Sequence, residues 1–151
     1  KRQMILLKSF NISRCGFLTK RKLEAVVKVV LKSFGIKNGE LSITFATDEE
    51  IMRLNRHYRK RNAPTDVLSF AMQEGRRIAK DSVVLGDIVI SAGMAKEQAK
   101  VFGTSFKEEM QLYIIHGILH LLGYDDEKPA AEKKMRKKEK ELMPLWQRQS
   151  S

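Results

Sequence analysis

Two histidines four residues apart, His116 and His120, stand in the run His-Gly-Ile-Leu-His-Leu-Leu-Gly-Tyr-Asp-Asp. On a helix that spacing puts both imidazoles on one face a turn apart, within reach of a single metal ion. Gly123 falls where such a helix would close on a left-handed residue, which turns the chain back and brings Asp125 or Asp126 toward the same ion. Two imidazoles and one carboxylate leave a fourth position for water, the arrangement of a catalytic zinc site rather than a closed structural one. A pair of buried core histidines is the plain alternative. The glycine and the acidic pair that follow at ligand spacing weigh against it.

Zinc peptidases with this type of motif place a glutamate directly after the first histidine, as general base to water on the metal. Here that position is Gly117. A glycine inside a helix costs roughly 1 kcal/mol relative to alanine, so its presence points to close backbone packing or room for a ligand, not to acid–base chemistry. Peptide hydrolysis by that route is disfavoured.

The elements that must position these residues follow from hydrophobic period and cap chemistry. Met4 to Leu7 form a short apolar run suited to a strand. Thr19 caps a predicted helix from Lys20 to about Phe34, with Leu23, Val26, Val27, Val30 and Leu31 along one side and Gly35 as its stop. Leu41, Ile43 and Phe45 alternate with Ser42 and Thr44 as a strand with one buried face. Thr47 and Glu50 fit a capping box for a helix carrying Ile51, Leu54, Asn55 and Tyr58 on one stripe. A polar, basic loop from Arg59 to Asp66 leads to a strand over Val67 to Phe70. Val83 to Ile90 is almost wholly apolar, as in a strand covered on both faces, and Ser91 opens a helix to about Phe102. Ser105 with Glu108 caps the helix of the histidine motif. The last segment has a thin apolar stripe of Ala131, Met135, Leu142 and Trp146 on a helix otherwise full of Lys and Glu. It reads as a solvated face, with an RNA-touching helix as the alternative. Strands interleaved with helices predict one α/β (α+β) domain over residues 1–151. Its sheet is mixed and mostly four-stranded, packed by helices, with the metal-binding helix central.

The chain has 151 residues, with 29 Lys and Arg against 18 Asp and Glu, a net charge of +11. Polyanions are the natural partner of such an excess, because neutralising phosphates releases counterions irrespective of sequence. Cys15 is alone, so no intramolecular disulfide forms and a small buried thiol in a reducing compartment is expected. No apolar run approaches the roughly 20 residues needed to cross a bilayer, and the N-terminus lacks a secretory cleavage pattern. A cytoplasmic, membrane-free protein is expected.

The chain resembles the YbeY family of bacterial endoribonucleases and ribosomal RNA maturation factors, over most of its length from about Leu41 to Asp126. The resemblance rests on Asn-Arg-His-Tyr-Arg ending at Arg59, Pro-Thr-Asp-Val-Leu-Ser-Phe from Pro64 to Phe70, Leu-Gly-Asp-Ile-Val-Ile-Ser from Leu85 to Ser91, and the His116 to Asp126 run. It implies a compact fold with a metal on the motif helix and the turn after it, beside a cleft for single-stranded RNA. The implied activity is metal-dependent, single-strand-specific endoribonuclease action in ribosomal RNA processing, at the small-subunit 3′ end, and in ribosome quality control. The implied partners are ribosomal RNA and the ribosome or a subunit, and whether a protein partner delivers the substrate is left open. The metal ligands it implies are His116, His120 and Asp126, with Asp125 left to the turn. Asp126 stands where the family typically has histidine. Zn2+ remains the expected ion, and the harder oxygen ligand broadens the choice toward other divalent transition metals. Arg59 matches an arginine the family treats as functional, and with His116 it is the expected catalytic residue. A guanidinium presents a rigid fork of donors to phosphate oxygens and stabilises the charge of a phosphorane-like transition state. Arg56, Arg59, Lys60 and Arg61 would hold the RNA backbone without reading bases, and His57 beside them is expected to be a surface residue. A metal ion lowers the pKa of water from about 15.7 to near 7, so the chemistry needs no glutamate at position 117. A metallopeptidase, and a non-catalytic assembly factor with a structural metal, are the competing readings.

Overall fold

The computed structural model describes residues 3–59, 66–72, 77–79 and 82–150. Five strands are described, β1 (Met4–Phe10), β2 (Asn38–Ala46), β3 (Val67–Ala71), β4 (Arg77–Ala79) and β5 (Ser82–Ser91). The helices are α1 (Lys20–Ser33), α2 (Asp48–Arg59), α3 (Ala92–Phe102), α4 (Phe106–Leu121) and α5 (Pro129–Ser150), with a 3-10 turn over Ile12–Cys15. The sheet order is β1-β2-β5-β3. β1 runs parallel to β2 and β2 parallel to β5, while β3 and the short β4 pair antiparallel with β5. The mixed sheet of four main strands is the one expected, and β4 is the element the hydrophobic pattern did not show. Three residues are too few for a period to register.

Alternation along the strands divides the core. Phe45, Ile88, Ile90 and Val67 point to the face covered by α1, α4 and α5. Their neighbours Ala46, Val89 and Leu68 point to the other face, where α2 lays down Ile51 and Leu54. α4 is buried nearly all round, including Met110, Ile114, Ile115, Gly117, Ile118 and Leu119, so the motif helix is central as expected. Asn55 is buried on the predicted α2 stripe, His57 is exposed, and the side chain of Tyr58 lies outside the described residues.

The caps agree with the sequence except at α2. Thr19 accepts from the Lys22 N–H and Ser91 from the Met94 N–H. Gly35 is left-handed at φ 76. At α2 the Thr47 hydroxyl accepts from the Glu50 N–H at 3.1 Å, but the Glu50 carboxylate takes the Thr47 hydroxyl and the Arg14 guanidinium at 2.9 Å. A cross-chain ion pair has claimed the acid that a full capping box would use. Cys15 is buried as expected, and burial pushes its thiol up to about 12, which keeps it protonated and inert.

Candidate metal centre

α4 begins with a complete capping box, in which Ser105 Oγ accepts the Glu108 N–H and the Glu108 carboxylate accepts the Ser105 N–H. At its other end the Gly123 N–H reaches the His120 carbonyl at 3.1 Å and the Tyr124 N–H reaches the Leu119 carbonyl at 3.0 Å. With Gly123 at φ 98 this is a left-handed helix stop that reverses the chain. Asp126 is thereby carried back to the histidine face. Asp125 instead closes a turn of its own, accepting the Glu127 N–H at 3.0 Å.

His116 Nε2 and His120 Nε2 lie 3.0 Å apart, and Asp126 Oδ2 is 3.4 Å from the first and 3.9 Å from the second. Bonds of about 2.0–2.1 Å to a tetrahedral zinc ion require ligand atoms roughly 3.3 Å from one another. The three donors fit one ion, and among the described residues no fourth His, Cys or carboxylate joins them. The group opens on a cleft of about 670 Å³ that His116 and Asp126 line. An ion held by these three donors would have its fourth position on the side of that cleft.

Behind the histidine stands Glu139 of α5, its Oε2 2.6 Å from His116 Nδ1. With the proton on Nδ1 donated in a hydrogen bond to this carboxylate, the Nε2 lone pair is directed at the site, the usual support of a metal-binding imidazole. Burial of His116 opposes its cation. The hydrogen bond and charge of Glu139, with the charges of Asp66 and Asp126, outweigh that and hold the pKa above the ordinary histidine value.

Glu139 is the site residue that sequence reasoning missed, although a signal existed. It follows Met135 by four and precedes Leu142 by three, which places a carboxylate on the apolar stripe of an otherwise solvated helix. It is only 8 % exposed. Asp66 was missed as well. It lines the cleft, accepts the Val67 N–H at 2.7 Å, and its charge acts on both His116 and Tyr113. Tyr113 is buried beside it with no hydrogen-bond partner for its hydroxyl among the described residues, and burial together with the Asp66 and Glu109 charges pushes its pKa up.

Gly117 is settled in favour of packing. A Cβ there would lie 2.6 Å from Ile88 Cγ2 and 3.2 Å from Val67 Cγ1, and its carbonyl accepts the Ser69 hydroxyl at 3.1 Å. α4 thus sits directly on β5 and β3, with no space for the glutamate of a peptidase. Gly117→Ala is expected to lower stability by about 1–3 kcal/mol through overpacking, despite the roughly 1 kcal/mol that alanine gains as a helix former. Urea unfolding reads the difference, and a more stable variant would show that α4 lifts freely from the sheet.

Of the basic residues singled out in the sequence, Arg56 is exposed on α2. Arg59 closes α2 by its backbone while its side chain lies outside the described residues, as do Lys60 and Arg61 altogether. The chain that leaves α2 at Arg59 re-enters the description at Asp66, on the cleft.

A two-histidine, one-carboxylate set on a helix and its following turn, open on a cleft, has the donor types and spacing that could hold one metal ion. The chain belongs to the YbeY family, whose model, described as endoribonuclease YbeY, matches residues 11–147. It is similar to endoribonuclease YbeY of Aquifex aeolicus, 47% identical over 115 residues that cover 76% of this chain and 75% of the relative. It is 45% identical to the Pelotomaculum thermopropionicum protein of the same name, covering 85% of this chain and 83% of that one. The solution structure of TM1509 from Thermotoga maritima superposes with a TM-score of 0.61 at 26% identity, covering 94% of this chain and 92% of that one.

Proposed function

We propose that this protein is a metal-dependent endoribonuclease that cuts single-stranded RNA. The proposed setting is ribosomal RNA processing at the small-subunit 3′ end and ribosome quality control, in the cytoplasm, on the ribosome or a subunit and with a protein that delivers the substrate. The observation that carries the reading is the open three-donor group of His116, His120 and Asp126 backed by Glu139. His116, His120 and Asp126 would hold Zn2+ or, given the carboxylate, another divalent transition metal. When bound, such an ion polarises a phosphate oxygen and brings the pKa of water near neutrality.

The chain's own residues do the rest. Glu139 fixes the His116 ring and its tautomer. Asp66 sets the charge at the cleft wall. Arg59 neutralises a non-bridging phosphate oxygen, and Arg56, Lys60 and Arg61 hold the strand by its backbone. The net charge of +11 supports a polyanionic substrate. The close packing of Gly117 argues against a peptidase, and the open ligand position argues against a purely structural metal.

The test is cleavage of a single-stranded RNA by purified protein after chelation and readdition of individual divalent ions, with Arg59→Glu alongside. The expected result is activity that chelation removes, that one ion restores, and that the folded Arg59→Glu protein lacks. RNA binding with no cleavage under any ion would instead make the protein an assembly factor.

A further inference from the structure

Among the described residues, the lining of the cleft over the metal centre is rich in acids. Asp66, Glu109, Asp126, Glu132 and Glu139 line it, and Arg136, the one Lys or Arg among the described lining residues, has its guanidinium 2.7 Å from Glu132. These acids repel a phosphodiester strand, so cations at the rim add to its affinity.

One rim is α5. At 100° per residue, Lys133, Arg136, Lys137 and Lys140 fall within about 100° of the helix circumference and along about 10 Å of its axis. All four are exposed, and together with Pro129 and Glu132 they line a groove of about 580 Å³. The other cations in this stretch are engaged within the fold. Lys134 lies 5.8 Å over the Tyr124 ring, and Lys138 lies 4.8 Å over Phe34 and pairs with Glu141 at 3.2 Å. Lys133, Lys137 and Lys140 have no such partner among the described residues. Arg136 and Glu132 line both the cleft and the groove, so the two adjoin at that pair.

We infer that the Lys133, Arg136, Lys137 and Lys140 stripe of α5 is the phosphate track along which single-stranded RNA enters the cleft at Arg136. The inference deepens the proposed function and rests on RNA being the substrate. The stripe carries no aromatic or base-reading side chain, so it contributes affinity equally for all sequences. A membrane surface is the less suited polyanion, because the apolar side of α5, Met135, Leu142 and Trp146, is buried in the core and cannot insert.

The experiment compares the full-length, metal-loaded protein with the triple variant Lys133→Gln, Lys137→Gln, Lys140→Gln, and with a control that removes the same charge from the exposed first turn of α1, Lys20→Gln, Arg21→Gln, Lys22→Gln. Glutamine keeps helix propensity, and thermal melts verify the fold. Cleavage kinetics on a fluorescent single-stranded RNA are measured across salt concentrations, with anisotropy of the chelated proteins as the binding readout. The α5 variant is expected to raise KM about tenfold with kcat unchanged, and to flatten the dependence of log Kd on log salt by about 2, as loss of three single-strand phosphate contacts requires. The α1 control is expected to shift neither by more than a fraction of that. Unchanged KM and salt slope in the α5 variant overturn the track, as do equal shifts in both variants, which would mean net charge alone. Loss of binding to anionic phospholipid vesicles without loss of RNA binding overturns it in favour of a membrane. Absence of RNA binding by the wild type sinks the track, whereas RNA binding without cleavage sinks only the nuclease reading.

Discussion

Replacement of Gly86 by alanine is expected to cost more than about 4 kcal/mol and to leave little folded protein. Gly86 sits at φ 138, a backbone conformation that only glycine adopts readily, and such strain costs about 1–3 kcal/mol by itself. The space is also closed. An added Cβ would run into the Phe70 carbonyl oxygen, and would lie 3.0 Å from Ala71 Cα and 3.0 Å from Leu121 Cδ2. Two of these obstacles are backbone, which a rotamer change cannot move. β3 would have to part from β5 at the Phe70–Asp87 and Ala71–Gly86 pairs, beside the register shift where the β2–β5 pairing steps from Glu40–Val84 to Leu41–Gly86. Against a total stability of about 5–15 kcal/mol, that loss removes from about a quarter to most of the margin that keeps the chain folded. Gly103→Ala separates the two causes, because Gly103 is left-handed at φ 68 with nothing within 4 Å. It should cost about 1–2 kcal/mol, the strain alone. If melting of Gly86→Ala falls no further than that of Gly103→Ala, the steric part of the argument is wrong.

Glu139→Gln is expected to weaken divalent-metal binding by about 10- to 100-fold while the protein stays folded. The amide nearly preserves the shape of the carboxylate but not its charge, so His116 Nδ1 meets a neutral group that can donate as well as accept, which no longer fixes the tautomer by charge or raises the basicity of Nε2. The loss also has a pH signature. In the metal-free protein His116 has a raised pKa despite its burial, so a proton competes with the metal and affinity falls as pH drops, beginning above the ordinary histidine value near 6.5. Removing Glu139 takes away the largest raising cause, and the onset moves to lower pH. The sign for stability follows from the same shift. The His116–Glu139 pair stabilises the metal-free wild type fully below the unfolded histidine pKa, and that contribution is lost as pH rises through the higher folded value. Calorimetric titration with Zn2+ from pH 6 to 8 reads the affinity and its onset together. Equal affinities for wild type and variant at pH 8 would show Glu139 to be a bystander.

Much of this architecture was legible because it is local. Thr19, Ser91 and Ser105 act as caps as their types require, and Gly123 turns the chain where a left-handed stop was expected. The pairing of His116 with His120 needs only the pitch of one helix, and Asp126 only the reversal that follows it. The second role of Glu50 was not legible, because Arg14 lies 36 residues away in sequence. The same holds for Gly117, whose sequence context allowed either packing or ligand space until Ile88 and Val67 were seen against it.

The sequence alone determined the ligand types, their spacing, the predicted helix that carries two of them and the excess of positive charge, since these depend on residue identity and helical period. Only the tertiary structure decided which acid stands behind His116, because Glu139 arrives on a different helix, 23 residues on, through the packing of α5 against α4. It also decided that the described lining of the cleft is rich in acids and that Lys133, Lys137 and Lys140, without a partner among the described residues, lie along one stripe of α5. Electrostatic surroundings depend on distances through space, and composition counts charges without placing them.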